Sequence, residues 1–302
     1  MTEAPATKAV SVNDPDLFMA MENLELAARG IVEGALHGMH RSPYLGFSAE
    51  FDAHREYAPG DDLRYVNWNL WGRTDRLYIK QYKADTNLNV YLLLDISRSM
   101  LCDHGPDRKW RYAARIMAAL AFLALNSRDA TGLFLLGDGI ENVVPPVVRP
   151  GQFHEILAVL ERLQPRGRLA VRRAFDETLQ LCRRRGLVVF ISDLFEDDDA
   201  LFRGLDNLRH AGHDVLVLQL LDPWEAELPD SGQFEFEDLE SGERMKIHAA
   251  AYNAEYRKTV AAWRGAWQQR CEGSGIDWLS YQTNEPLRDM LIDYLLKRAG
   301  MN

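Results

Sequence analysis

Five short, almost unbroken apolar runs, at residues 90–94, 132–136, 187–191, 215–221 and 276–281, recur through the last two thirds of the chain. A strand without polar alternation must be covered on both faces, so each run predicts a strand inside a sheet that lies between two helical layers. Segments of helical periodicity separate them, at 109–126, 152–163, 171–184, 200–210, 249–272 and 285–298. Alternation of this kind specifies an α/β fold: a doubly wound, Rossmann-like parallel sheet with right-handed crossovers. With 302 residues, 47% of them hydrophobic, the chain can bury one large core or two ordinary ones.

The first third has a different texture. Asp14 and Pro15 followed by Leu17, Met21, Leu24, Ala28 and Ile31 predict a capped amphipathic helix, with His37 and Gly38 as its stop. Residues 41–87 are short aromatic and β-branched pieces broken by Ser42-Pro43, Pro59-Gly60 and Gly72, and 77–82 alternates at period two, which predicts a small β-rich module. The expected organisation is a disordered tail over 1–14, the helix and β-rich module over 15–86, and the α/β domain over 87–302.

An insertion at 222–248 interrupts that domain. Residues 234–247 hold two alternating segments around Ser241-Gly242, the pattern of a hairpin. Between Asp222 and Glu243 there are nine acidic groups and no Lys or Arg, so this stretch alone nearly accounts for the net charge of −10. Two readings stay open for it, a solvated hairpin and a docking surface for a basic partner. The arginines at 166, 168, 172, 173 and 183–185 form an opposite cluster, most simply a solvated face. Glu196-Asp-Asp-Asp199 is placed to begin a helix, whose N-terminus favours negative charge.

Overall acidity argues against a phosphate-tracking surface, so no nucleic acid is expected as partner. Cys102, Cys182 and Cys271 form no CxxC pair, which indicates neither a disulfide framework nor a thiolate zinc site. The N-terminus lacks the features of a signal peptide, and the longest apolar run, 113–125, carries Arg115 and is too short to span a bilayer. A cytoplasmic protein with no membrane span is expected.

Chemistry concentrates at the carboxyl end of the first apolar run. Leu92-Leu-Leu-Asp-Ile-Ser-Arg-Ser-Met100 sets Asp95 at a strand end, with Ser97 and Ser99 in the loop that feeds the next helix. Ligands of open α/β sheets bind outside strand carboxyl ends, and converging hard oxygens suit Mg²⁺, Ca²⁺ or Mn²⁺. Asp193, after 188–192, repeats the arrangement and can face Asp95. A loop that only caps a helix and forms a turn is the alternative, since Ser and Asp are favoured there without metal.

The DxSxS at Asp95, Ser97 and Ser99 resembles the metal-ion-dependent adhesion site (MIDAS) of von Willebrand factor type A domains. Upstream, the run from Arg55 through Tyr57, Gly60, Asp61, Arg64 and Trp68, with Arg73 and 77–80 beyond it, resembles the signature of the domain-of-unknown-function family 58 (DUF58). The resemblance extends from about residue 14 to the C-terminus. It implies a von Willebrand A-like domain in a non-enzymatic protein-interaction adaptor that works with a MoxR-type AAA+ ATPase and a client protein. Partner binding would then use Mg²⁺ held by Asp95, Ser97, Ser99 and Asp193, with an open position for an acidic side chain of the partner.

One residue departs from the pattern. The adhesion site adds a threonine from the loop before the next long helix, and Arg168 stands there. A guanidinium accepts no hydrogen bond and cannot ligate a cation. Either metal binds weakly with water in the missing position, or Arg168 pairs with Asp95 and Asp193 and replaces the cation. Thr178 lies too far into the predicted helix to substitute. For the upstream motif, Pro59-Gly60 gives a tight turn, Asp61 or Asp62 a cap, and Arg64 and Trp68 one helical face; a buried Arg–Asp network and a partner-contacting surface both fit.

The enzyme alternative is a haloacid-dehalogenase-like phosphatase, which Asp95 and 193–197 imitate. It fails at Ser97, where a proton-shuttling Asp is required, and no lysine is evident near the sheet top. Neither GxxxxGK[ST] nor a GxGxxG after a strand occurs, and Gly137-Asp-Gly139 is a lone turn. The eight histidines are scattered, with His210 and His213 at a helix end, where capping is the expected role.

Overall fold

The computed structural model describes residues 24–40, 53–56, 78–81, 88–102, 104, 108–237 and 244–298. They divide into two compact units, residues 37–87 on one hand and 1–36 with 88–302 on the other. In the smaller unit, β1 (Ala53–Glu56) pairs antiparallel with β2 (Tyr78–Gln81), Arg55 standing opposite Ile79. The alternation expected at 77–82 is this second strand. Tyr57, Gly60, Asp61, Arg64, Trp68 and Arg73 lie outside the described residues, as do the tail at 1–14 and the proposed helix start at Asp14.

The larger unit is built on a six-stranded sheet: β3 (Asn89–Asp95), β4 (Ala130–Gly137), β5 (Gly139–Val147), β6 (Gly186–Ser192), β7 (Asp214–Leu221) and β10 (Asp277–Gln282), in the order β10-β7-β6-β3-β4-β5. Five strands are parallel and β5 runs antiparallel at the edge. The expected strands are therefore present, and β5 is the one the aliphatic runs did not signal. Pro145 and Pro146 obscure it; an edge strand tolerates them because its outer side has no ladder to feed. Gly137-Asp-Gly139, read as a lone turn, is the turn of the β4–β5 hairpin.

Alternate side chains of each strand enter opposite cores, which explains the unbroken apolar runs. Leu92 and Leu94 pack with α1 (Leu24–His40), α2 (Lys109–Asn126), α3 (Gln152–Glu161) and α8 (Leu287–Arg298). Tyr91 and Leu93 pack with α4 (Val171–Leu181), α5 (Asp198–His210) and α7 (Ala249–Gly273). In α1, Leu24, Ala28, Ile31, Val32 and Ala35 form the buried stripe, and the helix passes the expected stop at Gly38. A helical glycine costs only about 0.5–1 kcal/mol, too little to end it. Asp197 caps α5, its side chain accepting the N–H groups of Asp199 and Ala200. His210 ends α5 with its Nδ1 2.9 Å from Asp206 O, and His213 closes the helix end through its backbone N–H, which donates to Leu208 O, while its ring is buried edge-on against Tyr91.

The insertion begins with a one-turn helix, α6 (Pro223–Ala226), followed by the antiparallel pair β8 (Gln233–Glu237) and β9 (Arg244–His248), which is the expected hairpin. Among the described residues no helix is long and apolar enough to cross a membrane. At β3 the winding reverses: the chain leaves β3 through α2 on one face and leaves β6, its neighbour, through α5 on the other. A crevice opens where such connections part, at the carboxyl ends of β3 and β6, the two strand ends that carry Asp95 and Asp193.

Helices α4 and α5 meet at Gly204, where an added Cβ would lie 2.6 Å from the Phe175 ring. Gly204→Ala would gain up to about 1 kcal/mol of helix propensity. Overpacking of this kind costs about 1–3 kcal/mol. Urea unfolding of the variant is therefore expected to show a lower midpoint, and a raised midpoint would refute the close approach.

Candidate functional site

Asp95 closes β3 with 1% of its surface exposed. Its Oδ1 accepts the Ser97 N–H at 2.8 Å and its Oδ2 the Ser192 hydroxyl at 2.6 Å. Ser97 sits at the cap position of a short 3₁₀ helix, Arg98–Leu101, but its side chain makes no cap bond. Its Oγ lies 2.9 Å from the Ser99 Oγ instead. Helix capping thus does not explain the two serines, while the bond from Ser97 N–H to Asp95 is the turn that aims them.

Asp193 follows β6 directly and is also 1% exposed. Its Oδ1 accepts the Phe195 N–H at 3.2 Å, and its Oδ2 accepts from Lys109 Nζ at 2.6 Å. Between them Leu194 is buried in a left-handed conformation with φ 65°. For a non-glycine residue this stores roughly 1–3 kcal/mol of strain. The kink turns Phe195 outward, 45% exposed, stacked on Trp263 and 5.4 Å from Lys109 Nζ.

Lys109 overturns the expectation that no lysine stands near the sheet top. Fully buried at the first position of α2, it also donates to Glu225 Oε1 and Oε2 at 2.7 and 2.8 Å. Glu225 is held in turn by a reciprocal cap: its Oε2 accepts the Asp222 N–H, and Asp222 accepts from the first turn of α6. Two of the nine acidic groups of the insertion are therefore not freely solvated: Asp222 is buried, and Glu225, half-buried, is held against Lys109. The phosphatase alternative gains nothing, because the ammonium is engaged by two carboxylates and Ser97 still occupies the place of the general acid.

Burial sets the charge balance. Asp95 is pushed up to about 6, first by desolvation and then by the neighbouring Asp193 charge, against the hydrogen bonds of Ser192 and Ser97. Glu225 is pushed up to about 6 by burial, which Lys109 opposes and Asp193 reinforces. Burial alone would lower Lys109, but the attraction of Asp193 and Glu225 outweighs it and holds the ammonium above the ordinary lysine value.

Arg168 is exposed on a loop laid beside the DxSxS turn: Arg166 N–H donates to Ile96 O at 2.7 Å, and Arg98 N–H to Gly167 O at 3.1 Å. The loop thus stands where the adhesion-site threonine loop would. The cation bonded to Asp193 Oδ2 is Lys109. Thr178 is buried and its hydroxyl donates to Ala174 O, so it is no substitute ligand.

For a hard cation the fit is partial. Adjacent ligands of octahedral Mg²⁺, at roughly 2.0–2.1 Å from the ion, lie about 2.9 Å apart. Ser97 Oγ and Ser99 Oγ have that separation, and Asp95 supplies a carboxylate beside them. Asp193 is committed to Lys109. Two features of the site escaped the sequence reading and were legible in it. Lysine in a first helical turn opposes the helix dipole and so asks for a compensating acid. Asp222-Pro-Trp-Glu225 has capping-box spacing.

The raised carboxyls have a consequence for stability. Folded Asp95 and Glu225 bind their protons more tightly than the unfolded chain does, so their contribution stabilises at low pH and is lost as pH rises from about 4 to about 6. For Asp95 the loss is about 3 kcal/mol. Asp95→Asn is expected to flatten the dependence of the urea midpoint on pH across this window and to raise stability above it. Parallel profiles for variant and native chain would contradict the assignment.

Residues 53–266 match the family described as "Protein of unknown function DUF58". Uncharacterized proteins of Mycobacterium tuberculosis (Rv1480) and Mycobacterium bovis (Mb1516) are each 31% identical over 307 residues, 97% of this chain and 95% of theirs. Among solved structures, the conserved hypothetical protein BatB of Bacteroides thetaiotaomicron is similar at a TM-score of 0.48 and 16% identity, over 70% of this chain and 99% of that one. The SpRpn10 VWA domain is similar at a TM-score of 0.43 and 14% identity, over 68% of this chain and 94% of that one. By the family match and the full-length relatives, the chain belongs to the DUF58 family.

Proposed function

We propose that this protein is a non-enzymatic interaction adaptor of the von Willebrand A type, working with a MoxR-type AAA+ ATPase in the assembly or maturation of a client protein complex. The observation that carries the reading is the place where the winding reverses: two hydroxyls and a carboxylate converge there, Asp95 and Ser97 buried and Ser99 half-buried, while the charged groups beside them satisfy one another. Asp193 and Glu225 are spent on Lys109, an arrangement that fixes a surface and leaves little for acid–base turnover.

In this reading Asp95, Ser97 and Ser99 hold Mg²⁺, which supplies an electrophilic position for a carboxylate of the partner. The chain's own contribution is to orient the three donors through the Ser192 and Ser97 bonds to Asp95. Exposed Arg168 beside the turn offers a forked donor to the same acidic partner segment. The missing threonine and the commitment of Asp193 make the cation weakly held, so binding depends on added Mg²⁺.

Co-purification of the ATPase with the native chain, Asp95→Ala and Ser99→Ala, each with Mg²⁺ or with chelator, tests the reading. Capture is expected to fall at least about tenfold in both variants and in chelator, with circular dichroism unchanged. Ser99 is half-buried, so its variant keeps the test meaningful if Asp95→Ala is poorly folded. Undiminished capture by a folded Ser99→Ala and Asp95→Ala would remove this face as the docking surface.

A further inference from the structure

A second group of donors lies beside the crevice and takes no part in the adaptor reading. Cys102, His104 and Asp222 each offer one ligand atom, and the three atoms lie within 4.8 Å of one another. Cys102 Sγ is 3.4 Å from His104 Nδ1, and that nitrogen is 4.0 Å from Asp222 Oδ1.

Each donor is held from behind. Cys102 ends the 3₁₀ turn after the serines, its N–H bonded to Ser99 O and its carbonyl accepting from Lys109 N–H. His104 is stacked on Trp224 with ring centres 4.3 Å apart, and Trp224 meets Phe234 of the hairpin edge-on. Asp222 is fully buried at the start of α6, where its Oδ1 accepts the Trp224 N–H at 3.0 Å. A carboxylate has about four lone-pair sites, so the cap and a metal can share it.

We propose that Cys102, His104 and Asp222 form a zinc site with a fourth position open to water or to a partner's side chain. One sulfur, one imidazole nitrogen and one carboxylate oxygen make a borderline-soft set that suits Zn²⁺ rather than Mg²⁺ or Ca²⁺. On tetrahedral zinc, with Zn–S about 2.3 Å and Zn–N about 2.0–2.1 Å, sulfur and nitrogen lie about 3.6 Å apart, close to the separation here. The nitrogen and carboxylate oxygen must close from 4.0 Å to about 3.4 Å, and the sulfur, within 4.8 Å of that oxygen, to about 3.6 Å, so both the exposed His104 ring and the Cys102 side chain shift on binding. The bound metal ties the DxSxS loop to the insertion that begins at Asp222.

A nucleophilic thiolate–imidazole pair is the other chemistry such neighbours can perform. The surroundings oppose it: burial first, then the Glu225 charge, push the Cys102 thiol up, so the proton stays on sulfur. A bound Zn²⁺ displaces that proton, and affinity rises with pH.

Titration of Zn²⁺ and Co²⁺ into the metal-stripped full chain tests the proposal. One equivalent is expected to bind, the Co²⁺ form showing thiolate-to-metal charge-transfer absorption, with a proton released on binding. Cys102→Ser should abolish the absorption, and it and His104→Ala should each weaken Zn²⁺ binding beyond the roughly 10–100-fold that loss of a merely supporting residue costs. His154→Ala, an exposed histidine elsewhere, should bind like the native chain. Binding that survives both site variants, Co²⁺ bound without the thiolate band, or no bound metal at all would overturn the site and leave a thiol–imidazole hydrogen bond beside a helix cap.

Discussion

The ammonium of Lys109, shut away from solvent between Asp193 and Glu225, holds the carboxyl edge of the sheet together. It joins three elements: the start of α2, the loop after β6 and the one-turn helix after β7. A buried ion pair is a poor source of net stability, because desolvating its members costs about what their attraction returns. Breaking one is a different matter, costing about 3–5 kcal/mol through the charge left uncompensated. Lys109 is thus a constraint on geometry more than a contributor to stability. With Asp193 pinned, Leu194 is forced into its left-handed turn and Phe195 faces outward beside the crevice.

This constraint shapes what the crevice offers. Asp95 keeps its two bonds from Ser97 and Ser192, but it is buried and also faces the field of Asp193, so its negative charge is costly in the folded state. In the proposed reading, a cation at the serine hydroxyls would relieve that cost. Because Lys109 already pairs with Asp193, that relief would be partial, in keeping with the weakly held cation proposed above. From His104 through Trp224 to Phe234 and Phe236, a line of aromatic rings runs from the edge of the crevice to the hairpin.

Much of this was legible in the chain. Helix α2 has the boundaries that its periodicity gives, and the parallel strands follow the aliphatic runs, because burial on both faces leaves a pattern that little else imitates. Asp95 and Asp193 announced themselves as acids closing such runs. What escaped depended on partners distant in sequence: Lys109 reads as an ordinary helical lysine until Asp193, 84 residues away, is brought beside it. Asp222 and Glu225 were lost in an acidic stretch that runs on to Glu235 and Glu237 of the hairpin, since composition does not separate buried charge from solvated charge. Strand β5 was hidden by its two prolines, which disqualify an interior strand and are harmless at an edge.

The most direct test of this account is an NMR observation of the Lys109 side-chain ammonium in a ¹⁵N-lysine-labelled protein at neutral pH, assigned with Lys109→Arg. A charged group held by two carboxylates away from water exchanges its protons slowly. The account predicts a resolved, protected ammonium resonance that persists when Mg²⁺ is added and binds at Asp95, Ser97 and Ser99. Absence of a protected signal, or its loss as Mg²⁺ saturates the site, would show that Asp193 is free to ligate the metal and that Lys109 is not the charge around which the site is built.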